Sequence, residues 1–324
     1  MLRNESFYET HAFHDGQWEW WDVQLESSSD PRLAQLSQLA PEAEIWVDML
    51  PDMDVDFLTV RFPDGREPVM FGALQYSTKE RLKSTRGCHH FYFFISKQRL
   101  ITLNLDEQTK LTMLGHERRQ MMNECKHGMD GMFVLIRTLL HYFHDGLDQF
   151  AKNLRELEEL MHKHNRRTLM DRIVEARFEL LYWSNLFAPF RELLSASREA
   201  CLKELDDNPF FLRLLYRMER MEVLFERYEK EIDTMISMDN AISGFRGNEI
   251  MKTLTIVTTV FTPVMAVGAV WGMNFENLPW IQSRLGFTGV MLGTLLITAG
   301  MYYWMYLKGW TGDLLNNQRQ VKGD

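Results

Sequence analysis

Two stretches near the end of the chain, residues 253–271 and 285–307, contain no Asp, Glu, Lys or Arg. Each is about 20 residues long, enough as α-helix to cross a hydrocarbon core of ~30 Å. Two uncharged runs separated by one short polar turn read as transmembrane helices rather than as core helices of a soluble protein. The average composition, 25% charged and 45% hydrophobic, conceals this division, because almost all the charge lies before about residue 252.

The first residues, MLRNESFYETHAF, lack the apolar core of a signal peptide, so the first ~250 residues are expected to stay in the cytosol. Cys88, Cys125 and Cys201 are scattered without pairing or zinc-type spacing, which suits a reducing compartment. Two spans place both ends of the chain on one side of a membrane. Flanking charge adds little, since Arg246 and Lys252 precede the first span, Lys308, Arg319 and Lys322 follow the second, and Arg284 lies between them. A formal net charge of −9 with no basic stripe excludes a nucleic-acid partner. The sequence contains no P-loop, nucleophile elbow or zinc-hydrolase motif, so nothing points to an enzyme.

The region before the spans reads as an α/β beginning and an all-helical continuation. WEWWDVQL, EIWVDM, FLTVRF, VMFGALQY, HHFYFFI and RLITLNL are predicted strands on their aromatic and β-branched content, and SSSDPRLAQLSQLA between the first two is a predicted capped helix. From about Leu111 the period becomes helical: Phe133, Ile136, Leu140, Phe143, Leu147, Phe150, Leu154 and Leu157 form one apolar stripe, RELEELMHKHN ends it, and TLMDRIVEARFELLYWSNLFAPF returns antiparallel. A third helix starts at Asn208 as N-cap with Pro209 in the first position. It has no evident stop before the first span, so it is predicted to run about 60 residues, roughly 90 Å, into the membrane.

One face of that helix carries Asn248, Met251, Thr255, Thr258, Thr262, Met265 and Ala269 at steps of three and four, and Gly244, Ala241, Ser237 and Thr234 continue it backward. Threonine hydroxyls in lipid can bond back to their own helix, which makes such a stripe a helix-packing face. It can equally line a lumen, provided that several copies surround an axis in a ring. Met251 with Leu254 beside it would then form a hydrophobic constriction. The second span, with Gly286, Gly289, Gly293 and Gly300 and the aromatic end MYYWMYL, reads as an outer support with an interfacial anchor.

Between the spans stands Gly272-Met273-Asn274, and the stretch NEIMKTLTIVTTVFTPVMAVGAVWGMNFENLP around it resembles the CorA-type magnesium transporter family. The order of an α/β domain, antiparallel helices, a long stalk helix and two terminal spans fits that family too. The resemblance implies a funnel-shaped homopentamer in the cell membrane with the first span lining the pore, the second outside it, and Asn274 in a ring at the periplasmic or extracellular mouth. Mg²⁺ gives up its inner water reluctantly, so an amide ring that reads the hydrated ion through hydrogen bonds suits it better than a ring of charges, which would hold it too hard. Gly272 can relax the helix end, and Glu276 adds one negative charge per subunit that can attract cations. Trp271 stands where many relatives have Tyr, and Trp280-Ile281 where an acid is often found, which leaves the choice among Mg²⁺, Co²⁺, Ni²⁺ and Zn²⁺ open.

The expected organisation is a cytosolic α/β domain at 1–108, antiparallel helices at 109–207, a stalk continuing into the first span at 208–272, an extracytoplasmic loop at 273–284, the second span at 285–307 and a cytosolic tail at 308–324. Gated permeation of a divalent cation is the expected function; a proton-coupled zinc carrier of the ZntB-like branch and a non-conducting membrane-anchored sensor or scaffold are the alternatives. The resemblance also implies regulatory Mg²⁺ between subunits, for which Asp206, Asp207, Glu219 and Glu222 are candidates, although Arg213 falls where some relatives place a regulatory aspartate. His141 with His144 and Asp145, His162 with His164, and Cys125 with His127 have metal-like spacing but no evident third and fourth ligands.

Overall fold

The computed structural model of the chain describes residues 7–25, 30–53, 57–63, 67–77, 88–162, 169–273 and 284–310. It divides into two compact units, Met1–Ile236 and Ser237–Asp324.

The first unit holds a six-stranded sheet in the order β1-β2-β6-β5-β4-β3. The strands are β1 (Tyr8–Phe13), β2 (Trp18–Val23), β3 (Leu58–Arg61), β4 (Val69–Tyr76), β5 (His89–Ile95) and β6 (Arg99–Leu103). Only β2 and β6 pair in parallel; the other pairings are antiparallel. Strand alternation sends Phe91, Phe93 and Ile95 of β5 to one face and Phe94 to the other. The Phe94 face is covered by α1 (Leu33–Leu39) and α2 (Glu44–Met49) through Leu33, Leu36, Trp46 and Val47. The opposite face is covered by a helical layer: α3 (Glu107–Leu114), α4 (His116–Glu124), α5 (Gly128–His162), α6 (Leu169–Cys201) and α7 (Pro209–Trp271).

Two elements correct the expectations. EIWVDM is the helix α2, not a strand. Its burial shows why: Ala43, Trp46, Val47 and Leu50 are buried at spacings of three, four and seven, a helical period that the β-branched content masked. The first strand, YETHAF, lacks apolar alternation and is held by antiparallel pairing with β2. The helix expected in SSSDPRLAQLSQLA is α1, but no side chain caps it at Arg32; the Asp30 carboxylate, two residues earlier, accepts from the Arg32 N–H at 2.9 Å.

The predicted α5 stripe is buried throughout, from Phe133 to Leu157. Contacts of Phe143 with Trp183 and Phe187, and of Glu156 with Arg172, show that α6 returns antiparallel to α5. Phe133 meets Phe211 and Phe150 meets Tyr228, so α7 runs parallel to α5. Asn208 caps α7 as expected, its side-chain oxygen accepting from the N–H groups of Phe210 at 2.9 Å and Phe211 at 3.1 Å.

Glycine makes room for tryptophan at two points on α5. A Cβ at Gly131 would lie 2.5 Å from the Trp18 ring, and one at Gly146 would lie 2.3 Å from that of Trp183. Both indoles are fully buried and have nowhere to move. Gly146→Ala should therefore lower stability by about 1–2 kcal/mol, although alanine is the better helix former by ~1 kcal/mol, because overpacking costs about 1–3 kcal/mol. A melting temperature at or above that of the parent protein, followed by circular dichroism, would show that the Trp183 seat is slack.

Candidate ion pathway

The long helix α7 has two faces with different chemistry. Its buried residues are Phe211, Leu214, Met218, Met221, Phe225, Tyr228, Ile232 and Met235, at strictly alternating steps of three and four. This is the heptad seam that packs into the helical layer. The seam fails where the next step reaches Asp239, and no residue of α7 beyond Met235 is buried. The small and polar stripe predicted from the sequence keeps the same seven-residue period, two residues out of phase with the seam.

On that stripe Asn248, Met251, Thr255, Thr258, Thr262, Met265 and Ala269 are all exposed, as is the neighbouring Leu254. The threonine hydroxyls share one geometry. Thr255 donates to the Met251 carbonyl at 2.8 Å, Thr258 to Leu254 at 2.8 Å and Thr262 to Thr258 at 2.6 Å. Each hydroxyl hydrogen is thus committed to its own helix, and the oxygen lone pairs are what the stripe offers outward. Such a surface accepts hydrogen bonds and donates few, which matches the outer face of a hydrated cation, whose waters present hydrogens.

Large apolar side chains are exposed on the other sides of the same segment: Val257 at 48%, Phe261 at 55% and Val264 at 52%. Exposure all round a helix this apolar is untenable in water and natural in a bilayer or between copies. The helix ends at Trp271, where the Gly272 N–H donates to the Gly268 carbonyl at 2.9 Å and the Met273 N–H to Val270 at 3.4 Å. Gly272 does not adopt the left-handed conformation of a glycine cap. A Cβ there would lie 2.9 Å from the Gly268 carbonyl oxygen, so the residue keeps the last turn tight. Asn274 and Glu276 lie outside the described residues. The second apolar helix, α8 (Arg284–Leu307), is closed by bonds from Gly309 N–H to Tyr306 and from Trp310 N–H to Met305, with Gly309 at φ +75°, a Schellman cap. Gly289, Gly293 and Gly300 on α8 have open space where a Cβ would be.

Among the described residues the remaining metal candidates do not assemble. His141 lies 3.9 Å from Asp145 and His144 3.8 Å from Asp148, both as exposed pairs along one helix. Burial pushes the Cys125 thiol well above its ordinary range, and its sulfur donates to the Met121 carbonyl, so it offers no thiolate. The His162 side chain and His164 are outside the described residues. Among the candidate regulatory acids, Asp206 and Asp207 are exposed in the turn before α7, Glu222 lies 3.6 Å from Arg191, and Glu219 borders a groove beside Arg217 and Arg220. Among the described residues no group of three or more His, Cys, Asp or Glu side chains is placed to hold a metal.

An α/β unit, a long helix whose last third is long and apolar enough to cross a membrane, and a second such helix after it form an architecture consistent with a membrane transporter. Residues 15–307 match the family described as CorA-like Mg2+ transporter protein, and the chain belongs to that family, whose function is divalent-cation transport. It is 29% identical over 313 residues to the magnesium transport protein CorA of Bacillus subtilis, covering 95% of this chain and 96% of that one. It is 28% identical over 181 residues to the cobalt/magnesium transport protein CorA of Methanocaldococcus jannaschii, covering 55% and 57% of the two chains. The complete structure of the CorA magnesium transporter from Methanocaldococcus jannaschii superposes with a TM-score of 0.66 at 20% identity, covering 93% of each chain, and shows that the fold is shared.

Proposed function

We propose that five copies of this chain surround a central axis and pass Mg²⁺ along the α7 stripe, with Gly272, Met273 and Asn274 selecting the hydrated ion at the mouth. The observation that carries this reading is the placement of Thr255, Thr258 and Thr262 on one exposed face of a lipid-length helix; bonded back to their own backbone, as Thr253 and Thr259 also are, they line that face with hydrogen-bond acceptors. A column of acceptors stabilises the waters around an ion without binding the ion itself, and conduction requires that weakness. The relatives named for magnesium and for cobalt with magnesium support a divalent substrate with octahedral hydration. Met251 and Leu254, at the cytosolic end of the uncharged run, supply the constriction that closes by dewetting. Glu276 draws cations to the mouth, both chain ends lie in the cytosol, and α8 lies outside the ring against lipid. Regulatory Mg²⁺ at Asp206, Asp207, Glu219 or Glu222 would need donors from a second copy to complete its coordination.

Single cysteines at Thr255, Thr258 and Thr262 test the assignment. They should react with small water-soluble thiol reagents in reconstituted protein and impede flux once modified, whereas cysteines at Val257 and Val264 should stay unreactive. Equal labelling on both faces, or a dimeric mass in detergent, contradicts the central-axis arrangement.

A further inference from the structure

Lys110 of α3 ties three elements together. Its ammonium lies 3.1 Å from Glu9 of β1 and 3.2 Å from Asp22 of β2, two carboxylates that stand directly opposite each other in the β1–β2 register. Like charges in opposed positions destabilise a strand pair, and the ammonium between them offsets that repulsion. β1 is an edge strand, paired with β2 alone, and Phe13 is its one buried residue. The Glu9–Lys110 pair joins this weakly held strand to the helical layer.

His11 sits beside that pair. It lies directly opposite Trp20, with the ring centroids 5.4 Å apart. Its Nε2 is closed off from solvent and has no hydrogen-bond partner among the described residues. Glu9 Oε2 stands 3.7 Å from it, and this is the same oxygen that Lys110 meets at 3.1 Å. The charged groups around the imidazole are Glu9 on its own strand, Asp22 on β2, Lys110 on α3 and Arg119 on α4. Burial holds the His11 pKa below its ordinary value; the two acids oppose this and the two bases add to it.

A proton on Nε2 changes what Glu9 does. The neutral ring leaves the carboxylate to Lys110, whereas a charged ring shut off from water needs an anion, and Glu9 is within reach. Where the partners stand sets the consequence. Glu9 with Lys110 joins β1 to α3, but Glu9 with His11 lies within β1 and joins it to nothing. Asp22 keeps Lys110 in both cases, so β2 stays tied to α3.

We infer that His11 is an acid-triggered latch: on taking up a proton it draws Glu9 away from Lys110 and frees β1, while the rest of the sheet stays in place. A histidine whose folded pKa is lowered gives stability that is complete above its unfolded pKa and is lost as pH falls through the folded one, so the latch opens toward acid.

Hydrogen–deuterium exchange of the full-length protein in detergent, read by mass spectrometry at about pH 8 and about pH 5 and corrected for the intrinsic pH dependence of exchange, tests the latch. Protection of Tyr8–Phe13 should fall about three- to fivefold in acid, the scale of one partly exposed ion pair, while β6 and α3 keep theirs. His11→Gln and His11→Asn carry polar side chains that do not titrate, and in both the protection of β1 should be the same at the two pH values. Asp22, whose carboxyl burial makes easier to protonate, is present in parent and variants alike, so the difference between them belongs to His11. Glu9→Gln removes the carboxylate for which the two bases compete and should abolish the response as well. Unchanged β1 protection in the parent, an equal loss in β6 and α3, or a loss that persists in the His11 variants would overturn the inference. So would a loss of parental size in Glu9→Gln, which would assign the effect to burial of the ring charge alone.

Discussion

In liposomes containing the Asn274→Ala variant, selective Mg²⁺ uptake should fall by at least roughly tenfold while the protein still assembles. The magnitude follows from the proposed ring: each amide that accepts from a water of the incoming ion would contribute about 0.5–1.5 kcal/mol, several would act at once, and about 1.4 kcal/mol is a factor of ten. Asn274→Asp should fail differently. Carboxylates at that ring would raise divalent occupancy and favour direct coordination, so ions should enter readily and leave slowly. Ca²⁺ should become the stronger blocker, because it exchanges water for oxygen ligands more easily than Mg²⁺. The two variants together separate recognition of the water shell from attraction of charge. Wild-type flux and selectivity in Asn274→Ala would reduce the GMN turn to a link between two helices.

Removing the ammonium of Lys110 should destabilise the first unit by about 3–5 kcal/mol at neutral pH, the cost of leaving a buried charge unpaired. Asp22 has no exposed side-chain surface, and Lys110 reaches it at 3.2 Å while also meeting Glu9 at 3.1 Å. The remaining partners of the Asp22 carboxylate are the Thr102 hydroxyl at 3.1 Å and the Gln24 amide at 3.4 Å, neither of them charged. Burial raises the Asp22 pKa above its unfolded value, and Lys110 opposes that rise. A raised carboxyl pKa gives stability that is complete below the unfolded pKa and is lost as pH rises through the folded one. Lys110→Met extends the rise, so its deficit should be largest near neutrality and shrink as acid protonates Asp22. Asp22→Asn with Lys110→Met should recover most of the loss, because no charge is then buried. Urea unfolding at two pH values measures both effects; a deficit that grows toward acid pH would contradict this account of the pair.

Much of the chain could be read from local pattern. A membrane span is a local property, since uncharged length alone decides whether a helix can sit in lipid, and residues 253–271 and 285–307 declare themselves without any tertiary information. The α5 stripe, the Asn208 cap and the antiparallel return were legible for the same reason: each depends on residues within a few turns of one another. The α7 seam from Phe211 to Met235, with its alternating three and four spacing, is equally local but was not among the expectations. EIWVDM was misread because its Trp and Val favour strands, while the positions that decided its form, Ala43 and Leu50, flank it. The strand at Tyr8–Phe13 has no apolar signal to find and exists through its pairing with β2.

By itself the sequence determined the two spans, the stripe between Asn248 and Ala269, and the α/β-then-helical order, because hydrophobic period and charge are set residue by residue along the chain. Tertiary structure decided what distant segments do to one another. It seated Trp18 and Trp183 against Gly131 and Gly146 and buried Asp22 against Lys110. Those outcomes depend on packing between residues that are tens of positions apart, where close-packed volume and the desolvation of charge act and local spacing carries no signal.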